Sequence, residues 1–285
     1  MSRMLPCLGI GAILALQAVA QSGDSTPQAL FERTEYQQSL ALLLRAPHKD
    51  ASTLKLIGEN YFMLGEYKKS TDALEKAAAL DPRNAMLQCW LGRAYGRRAE
   101  TSNPLTAPGY AGKSRQALEK SVRLDPSNKE ATGDLLDFYL EAPGFLGGGF
   151  DKAHALAKII GQSDPAEEHY AEAVIDEHRK DYSGAEQQFR RALELAPRQV
   201  SRFVALAKYL AKQGRVKESD ALFEEASRMA PDDARLLFDR AEIYVTQRRN
   251  LAQARELLEK YLRAPLTPDD PPRARAEALL KKITS

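Results

Sequence analysis

Residues 54–82 read LKLIGENYFMLGEYKKSTDALEKAAALDP, and residues 203–231 read FVALAKYLAKQGRVKESDALFEEASRMAP. Both stretches space apolar residues three and four positions apart, which places them on one face of an α-helix. Each has a central glycine, Gly65 or Gly214, and each ends at a proline, where a helix stops. Each stretch therefore predicts two helices joined by a short turn.

The closing proline recurs along the chain, at Pro82, Pro126, Pro165, Pro197 and Pro231. The last spacing is 34 residues, the period of one helix–turn–helix repeat, and the first two are longer by ten and five. The pattern resembles the tetratricopeptide repeat family, W-x2-L-G-x2-Y followed by A-x3-F-x2-A-x4-P. Matching residues in the first unit are Ile57-Gly58, Tyr61, Leu74, Ala77 and Pro82, and those in the fifth are Leu206-Ala207, Leu210, Phe223, Ala226 and Pro231.

The resemblance implies an all-α fold, a right-handed superhelical solenoid of antiparallel helix pairs with a concave inner face. Five to six repeats span residues 51–265. One helix pair cannot bury its own apolar stripe, so neighbouring pairs have to stack. Small residues at Gly58, Gly92, Ala207 and Ala241 are expected where paired helices approach most closely.

The two ends of the chain differ from the repeats. Residues 1–20 carry one cation and an uncharged run that ends in Ala18-Val19-Ala20, which predicts a signal peptide cleaved after Ala20; an uncleaved anchor is the alternative. Residues 21–50 are expected to hold a polar linker and one capping helix over residues 28–46. Residues 266–285 are expected to form a C-terminal capping helix that runs from Pro268 with Asp270 as its N-cap.

Charge and cysteine content exclude several classes of protein. Lys and Arg number 41 against 39 Asp and Glu, a balance that argues against a nucleic-acid-binding protein. The mature chain has one thiol, Cys89, in an apolar helical context, so no internal disulfide is expected and Cys89 is interpreted as a packed apolar residue. No other run is long enough to span a membrane, and the mature protein is predicted to be secreted across the inner membrane, to the periplasm.

Two insertions lengthen the second and third units, near residues 99–113 and 141–150. They share the pattern Ala-Pro-Gly-aromatic-x-Gly, at residues 107–112 and 142–147. Pro-Gly pairs favour turns, so both are predicted to be loops. Equivalent loops of a solenoid lie on the same edge, and we expect a rim beside the groove anchored by Tyr110 and Phe145. The alternative is that the loops only fill space.

The sequence gives no sign of a catalytic, cofactor or metal site. His169, Glu172 and Asp176 share one helix face but have no second cluster of metal ligands nearby, so a solvated face is the better interpretation. Gly147-Gly148-Gly149 lacks the Lys-Ser/Thr of a phosphate loop, and Asp151 would repel an anion.

The concave groove is the remaining candidate site, and the resemblance implies that first-helix residues line it. These residues are Lys55, Glu59, Arg93, Arg97, Asp134, Asp137, Tyr170, Lys208, Lys212, Phe238 and Glu242. Arg93 and Arg97 are expected to form ion pairs with Asp134 and Asp137. Family members that clamp a C-terminal carboxylate need Asn where Glu59 stands, so an anionic C-terminal peptide is not favoured.

Together these features predict a non-catalytic protein–protein interaction module of a bacterial-type cell envelope. Its partner would be a protein or an extended or helical peptide bound in the groove. Two alternatives stay open. One is a structural subunit of an envelope export or assembly complex. The other is a protein that binds a small ligand or glycan through Tyr110, Phe145 and nearby groove residues.

Overall fold

A computed structural model describes residues 26–284, which fold into fifteen α-helices without a β-strand. In chain order they are α1 (Pro27–Glu32), α2 (Tyr36–Arg45), α3 (Ala51–Met63), α4 (Tyr67–Leu80), α5 (Ala85–Thr101), α6 (Ala107–Leu124), α7 (Lys129–Glu141), α8 (Phe150–Gly161), α9 (Pro165–His178), α10 (Tyr182–Leu195), α11 (Val200–Lys212), α12 (Val216–Met229), α13 (Ala234–Thr246), α14 (Leu251–Arg263) and α15 (Arg273–Thr284). Helices α3 to α14 form six consecutive hairpins, and the predicted all-α superhelical solenoid is confirmed. The predicted signal peptide lies outside the described residues. Within residues 26–284, every helix is too short or too polar to cross a bilayer.

Five of the six first helices of the hairpins begin at a polar side chain that caps them. Asp50, Asn84, Asn128, Asp164 and Asp233 each accept a hydrogen bond, at 2.7–3.0 Å, from the backbone N–H three residues later. Each bond satisfies a donor that has no partner inside the first turn of a helix. These caps fix the starts of α3, α5, α7, α9 and α13.

The turns inside the hairpins use backbone conformations that favour glycine. Gly65 after α3 has φ of +76°, and Gly214 after α11 has φ of +75°. Lys180 and Arg248 adopt positive φ values at the matching turns after α9 and α13. The left-handed conformation ends the first helix and lets the second return along it.

Hydrogen bonds also join the two helices of a hairpin at the small residues. The Ser70 hydroxyl of α4 donates to the backbone carbonyl of Gly58 in α3 at 2.8 Å. Ser114 of α6 makes the same bond to the Gly92 carbonyl of α5, also at 2.8 Å. Both serines are buried, so the repeat contains a polar contact as well as an apolar one at this point.

The N-terminal segment forms two helices, whereas the sequence predicted one over residues 28–46. The chain breaks between α1 and α2, where Thr34 adopts φ of +64°. The break folds α1 back onto α2, and the Ser39 hydroxyl donates to the carbonyl of Pro27 at 2.7 Å. Phe31 of α1 and Leu40 of α2 can then enter the same apolar cluster, which one straight helix would not allow.

The first insertion is mostly helical, which differs from the predicted loop. Helix α5 continues to Thr101 and α6 begins at Ala107, so only residues 102–106 lie between them. Pro108 stands in the first turn of α6, where a proline sacrifices no hydrogen bond and its fixed φ suits a helix. The Pro-Gly pair therefore starts a helix here, and Tyr110 belongs to α6.

The second insertion is the loop that the sequence predicted. Residues 142–149 contain a single 3-10 turn, Gly144–Leu146, and two glycines with positive φ, Gly147 and Gly149. A Cβ atom on Gly147 would lie 2.7 Å from Nε of Arg115 in α6, so the loop packs directly against the neighbouring hairpin.

The C-terminal helix begins at Arg273, later than predicted, and packs against α13 and α14. Asp270 does not cap it. The Asp270 carboxylate accepts hydrogen bonds from the Thr267 backbone N–H at 2.8 Å and from the Thr267 hydroxyl at 2.9 Å. Asp270 therefore closes a turn ahead of two prolines, and these delay the start of the helix.

Candidate functional site

Two cavities lie along the first helices of the hairpins, one against α3, α5 and α7 and the other against α9, α11 and α13. We call the first the N-terminal cavity; it has a volume of about 570 Å³ and lies against α3, α5 and α7. Ser114 and Leu118 of α6 also line it, and a further part of its wall comes from the segment 268–272, which precedes α15. The curvature of the solenoid therefore brings its C-terminal end across the inner face of its first hairpins.

Aromatic rings and guanidinium groups cover part of the N-terminal cavity. Phe62 of α3 and Trp90 of α5 meet edge to face, with ring centroids 5.4 Å apart. Arg93 lies over the Trp90 ring, 5.1 Å from its centroid. Arg97 lies over the Tyr67 ring at 5.3 Å. Such contacts are typical of cation–π pairs, so the rings of Trp90 and Tyr67 each already contact a guanidinium group.

The carboxylates of this cavity outnumber its cations. Arg93 is bonded to Asp134 at 2.5 Å and to Glu130 at 3.2 Å, and Arg97 is paired with Glu100. Within residues 26–284, no ion pair reaches the other acidic groups of the wall, which are Asp137, Glu141, Asp269 and Asp270.

The charge excess changes the acidity of Asp137. Desolvation, together with repulsion from the carboxylates of Glu141 and Asp134, raises the pKa of Asp137 to about 6, while His178 opposes the change. A carboxylate whose ionised form is disfavoured in this way gains from the arrival of a cation.

The C-terminal cavity, formed by α9, α11 and α13, differs in chemistry from the first. It has a volume of about 650 Å³, and apolar side chains that include Val174, Val204 and Leu236 form its floor. Both of its lysines are paired inside the chain. Lys208 bonds to Asp239 at 2.9 Å, and Lys212 bonds to Glu177 at 2.7 Å.

Tyr170 stands at one side of the C-terminal cavity with its ring held in place. The ring meets Phe189 edge to face at 6.0 Å, and the guanidinium of Arg202 lies over it at 4.8 Å. Arg202 itself is buried and ion-paired with Glu167. The fixed aromatic side chain and the apolar floor can bury the apolar face of a peptide.

The structure divides the predicted groove residues between the cavities. The N-terminal cavity contains Arg93, Arg97, Asp134 and Asp137, and the C-terminal cavity contains Tyr170, Lys208 and Lys212. The expected ion pairs between α5 and α7 form only in part, because Arg93 meets Asp134 whereas Arg97 turns to Glu100 and Tyr67.

The other four predicted groove residues line neither cavity. Glu59 is buried and bonded to Lys55 at 2.6 Å. Phe238 is fully buried against Tyr261, with ring centroids 5.2 Å apart, so it belongs to the core. Glu242 is paired with Arg275 of α15 at 2.6 Å. Each of these four side chains is engaged by another residue of the chain.

The two predicted rim aromatics have different environments. Tyr110 stacks on Tyr95 at 6.3 Å and lies under the guanidinium of Arg98 at 4.0 Å, so it anchors the α5–α6 hairpin. Phe145 is 83% exposed and covers nothing, because the 3-10 turn directs it to solvent. Only Tyr110 is an anchor, and Phe145 is free to contact another molecule.

The structure gives the histidines and the thiol ordinary roles. Within the described part of the chain, His, Cys, Asp and Glu form no cluster that could hold a metal ion. His169 bonds to Gln188 at 2.6 Å, and His154 bonds to Glu172 at 2.7 Å. Cys89 is completely buried, and burial raises the pKa of its thiol well above the usual range.

Sequence reasoning missed the aromatic part of the N-terminal cavity. Phe62, Trp90 and Phe138 are each one helical turn from a groove residue that was predicted: Glu59, Arg93 and Asp134. Extending each predicted face by three or four residues would have found them. The wall formed by residues 268–272 carries no such signal.

Comparisons with known proteins agree with this architecture. Residues 204–271 match the family model described as a tetratricopeptide repeat. A tetratricopeptide repeat protein from Parabacteroides merdae is similar in structure, with a TM-score of 0.56 and 14% identity over 89% of this chain and 91% of that one. A thermophilic repeat protein of Thermus thermophilus aligns with a TM-score of 0.49 and 22% identity over 62% of this chain and 91% of that one. The comparison with curated proteins gives no match.

Proposed function

We propose, from the premise that the chain is a tetratricopeptide repeat protein, that it is a non-catalytic scaffold that binds a protein or peptide on its concave face in a bacterial-type cell envelope. Repeats of this kind serve protein–protein interaction. The cell-envelope part of the proposal depends on the leader pattern of residues 1–20.

The observation that carries the proposal is the C-terminal cavity. It combines an apolar floor with two lysines that already form ion pairs. A ligand can therefore displace water there without breaking an ion pair. Its volume of about 650 Å³ suits a few side chains of a bound segment rather than a whole domain.

A pair of matched variants tests binding on the concave face. Ala205→Arg puts a long charged side chain into the C-terminal cavity, and Ala221→Arg puts the same side chain on the exposed surface of α12. Cross-linking in intact envelopes followed by purification should recover a partner with the parent and with Ala221→Arg, but not with Ala205→Arg. Equal recovery with all three proteins would contradict binding in this cavity.

The predicted export has its own test. A fusion of the chain to a phosphatase that folds only outside the cytoplasm should be active, and deletion of residues 1–20 should abolish that activity. An active fusion without these residues would contradict the proposed location.

One observation also favours the structural-subunit alternative. Leu105 is 95% exposed and Phe145 is 83% exposed, at the turns inside the second and third hairpins. Apolar side chains at such edges suit burial in a stable complex. Replacement of both by serine should release the protein from a stoichiometric envelope complex, whereas a transient groove interaction should persist.

A further inference from the structure

We infer that the N-terminal cavity recognises a cationic segment of a partner protein, an extended stretch that presents Lys or Arg side chains. The inference rests on the proposed function and deepens it, because it names the chemistry of the partner. It concerns one half of the concave face, so the C-terminal cavity stays available to a different part of the same partner.

Charge is the first argument. Six carboxylates line the cavity, and two guanidiniums accompany them: Glu100, Asp134, Asp137, Glu141, Asp269 and Asp270 against Arg93 and Arg97. Because both guanidiniums are already bonded to carboxylates, they do not offset the rest. An entering cation would therefore find unpaired negative charge, and an entering anion would be repelled.

Geometry is the second argument, because the unpaired carboxylates that line the cavity come from two separate segments of the chain. Asp137 and Glu141 are one turn apart on α7, so they lie on the same face of that helix. Asp269 comes from the segment before α15. An ammonium or guanidinium group has several N–H donors, so it suits a cavity whose acceptors come from more than one segment.

The aromatic groups are the third argument. Long basic side chains carry apolar stems as well as charge, and they pack along aromatic surfaces. Phe62, Trp90 and Phe138 offer such surfaces within the cavity. Arg93, at 5.1 Å from the Trp90 centroid, is an example within the chain of the contact that a ligand arginine would make.

The C-terminal cavity provides an internal comparison. Its lining holds three carboxylates (Glu177, Asp233 and Asp239) and three cations (Lys208, Lys212 and Arg235), so it offers no comparable excess of charge. The preference for a cation is therefore a property of the first three hairpins and the C-terminal connection, not of the concave face in general.

The position of the single tryptophan makes the inference testable by direct observation. Trp90 is the only tryptophan in the chain and lines this cavity, so its fluorescence reports ligands here and not in the C-terminal cavity. The probes are three synthetic peptides of about eight residues, roughly 25 Å when extended, with alternating glycine and either arginine, glutamate or glutamine. We expect the arginine peptide alone to change Trp90 emission saturably, and more weakly at high salt.

Matched variants assign the effect to the carboxylates. Asp137→Asn with Glu141→Gln removes two charges from the cavity, and Glu256→Gln with Glu259→Gln removes two from the exposed surface of α14. The first pair should lower the affinity for the arginine peptide by roughly tenfold, and the second pair should leave that affinity within about twofold of the parent. Circular dichroism confirms that each variant is folded.

Three results would overturn the inference. One is an unchanged Trp90 signal with the arginine peptide, and another is equal affinity in the cavity variant and the surface variant. A response to the glutamine or glutamate peptide instead would also overturn it, yet would leave groove binding standing. Binding in the C-terminal cavity is tested separately, by the cross-linking experiment at Ala205.

Discussion

The side chain of Leu74 in α4 occupies the place that a side chain on Gly58 in α3 would need. A Cβ atom added to Gly58 would lie 2.5 Å from Cγ of Leu74. The second hairpin repeats the arrangement, with 2.6 Å from Gly92 to Cγ of Leu118. The glycine of the repeat motif is therefore required by a buried leucine of the partner helix.

Substitution of these glycines should destabilise the protein. We expect Gly58→Ala and Gly92→Ala each to lower the free energy of unfolding by about 1–3 kcal/mol, because the new methyl group forces the leucine or the helices apart. Gly133→Ala is the control, because Gly133 lies in α7 with open space around it. Alanine at this position should raise the free energy of unfolding by up to about 1 kcal/mol. Urea unfolding measures all three. Equal effects at Gly58 and Gly133 would contradict the close approach.

The pKa of Asp137 predicts how stability changes with pH. The folded state raises this pKa from 3.8 to about 6, so Asp137 holds its proton more tightly when the protein is folded. Protonated Asp137 therefore contributes its full stabilisation of the folded state below pH 3.8, and this contribution is lost as the pH rises through about 6. Asp137→Asn should therefore raise the melting temperature relative to the parent more at neutral pH than at acidic pH.

The measurement is thermal unfolding of both proteins across this pH range. Glu141→Gln serves as a second variant: it removes a charge that raises the Asp137 pKa, so it should move the pH-dependent window downward. A constant difference in melting temperature between Asp137→Asn and the parent would contradict the assignment.

Cys89 should be unreactive in the folded protein. It is completely buried, its thiol lies 3.3 Å from the Asp134 carboxylate, and its raised pKa suppresses the reactive thiolate. In protein lacking residues 1–20, a thiol reagent should label Cys89 at least about a hundredfold more slowly in buffer than in denaturant. Rapid labelling of the folded protein would show that α5 opens readily.

Tyr110 and Phe145 should respond differently to truncation. Tyr110→Ala removes a ring stack and a cation–π contact and should cost about 1–2 kcal/mol of stability. Phe145→Ala removes an exposed side chain and should change stability by less than about 0.5 kcal/mol. Comparable losses measured by urea unfolding would mean that Phe145 is also packed.

The sequence predicted the solenoid because its signals are local. Gly58, Leu74 and Pro82 act within one hairpin, and similar residue types recur in later units. Local signals failed where they were ambiguous. Thr34 breaks the first helix without a glycine or proline, and Pro108 was interpreted as a turn residue although it also suits the first turn of a helix.

The site was harder to predict because it depends on distant partners. Lys212 and Tyr170 line the C-terminal cavity, but the bond from Lys212 to Glu177 joins residues 35 positions apart. The sequence placed Glu242 among the groove residues, but in the structure its carboxylate is paired with Arg275 of α15. Asp269 lines the N-terminal cavity only because six stacked hairpins bring the C-terminal segment there. The sequence of one repeat cannot predict that position.

Residues 268–272 link the last part of the chain to the first. An open solenoid loses its terminal repeats one at a time, since each contacts only its neighbours. Here, fraying of the final helix would withdraw a wall from a cavity built by the opening hairpins. Amide hydrogens at the two ends should therefore exchange at similar rates. A ligand bound between the ends should slow the exchange at both.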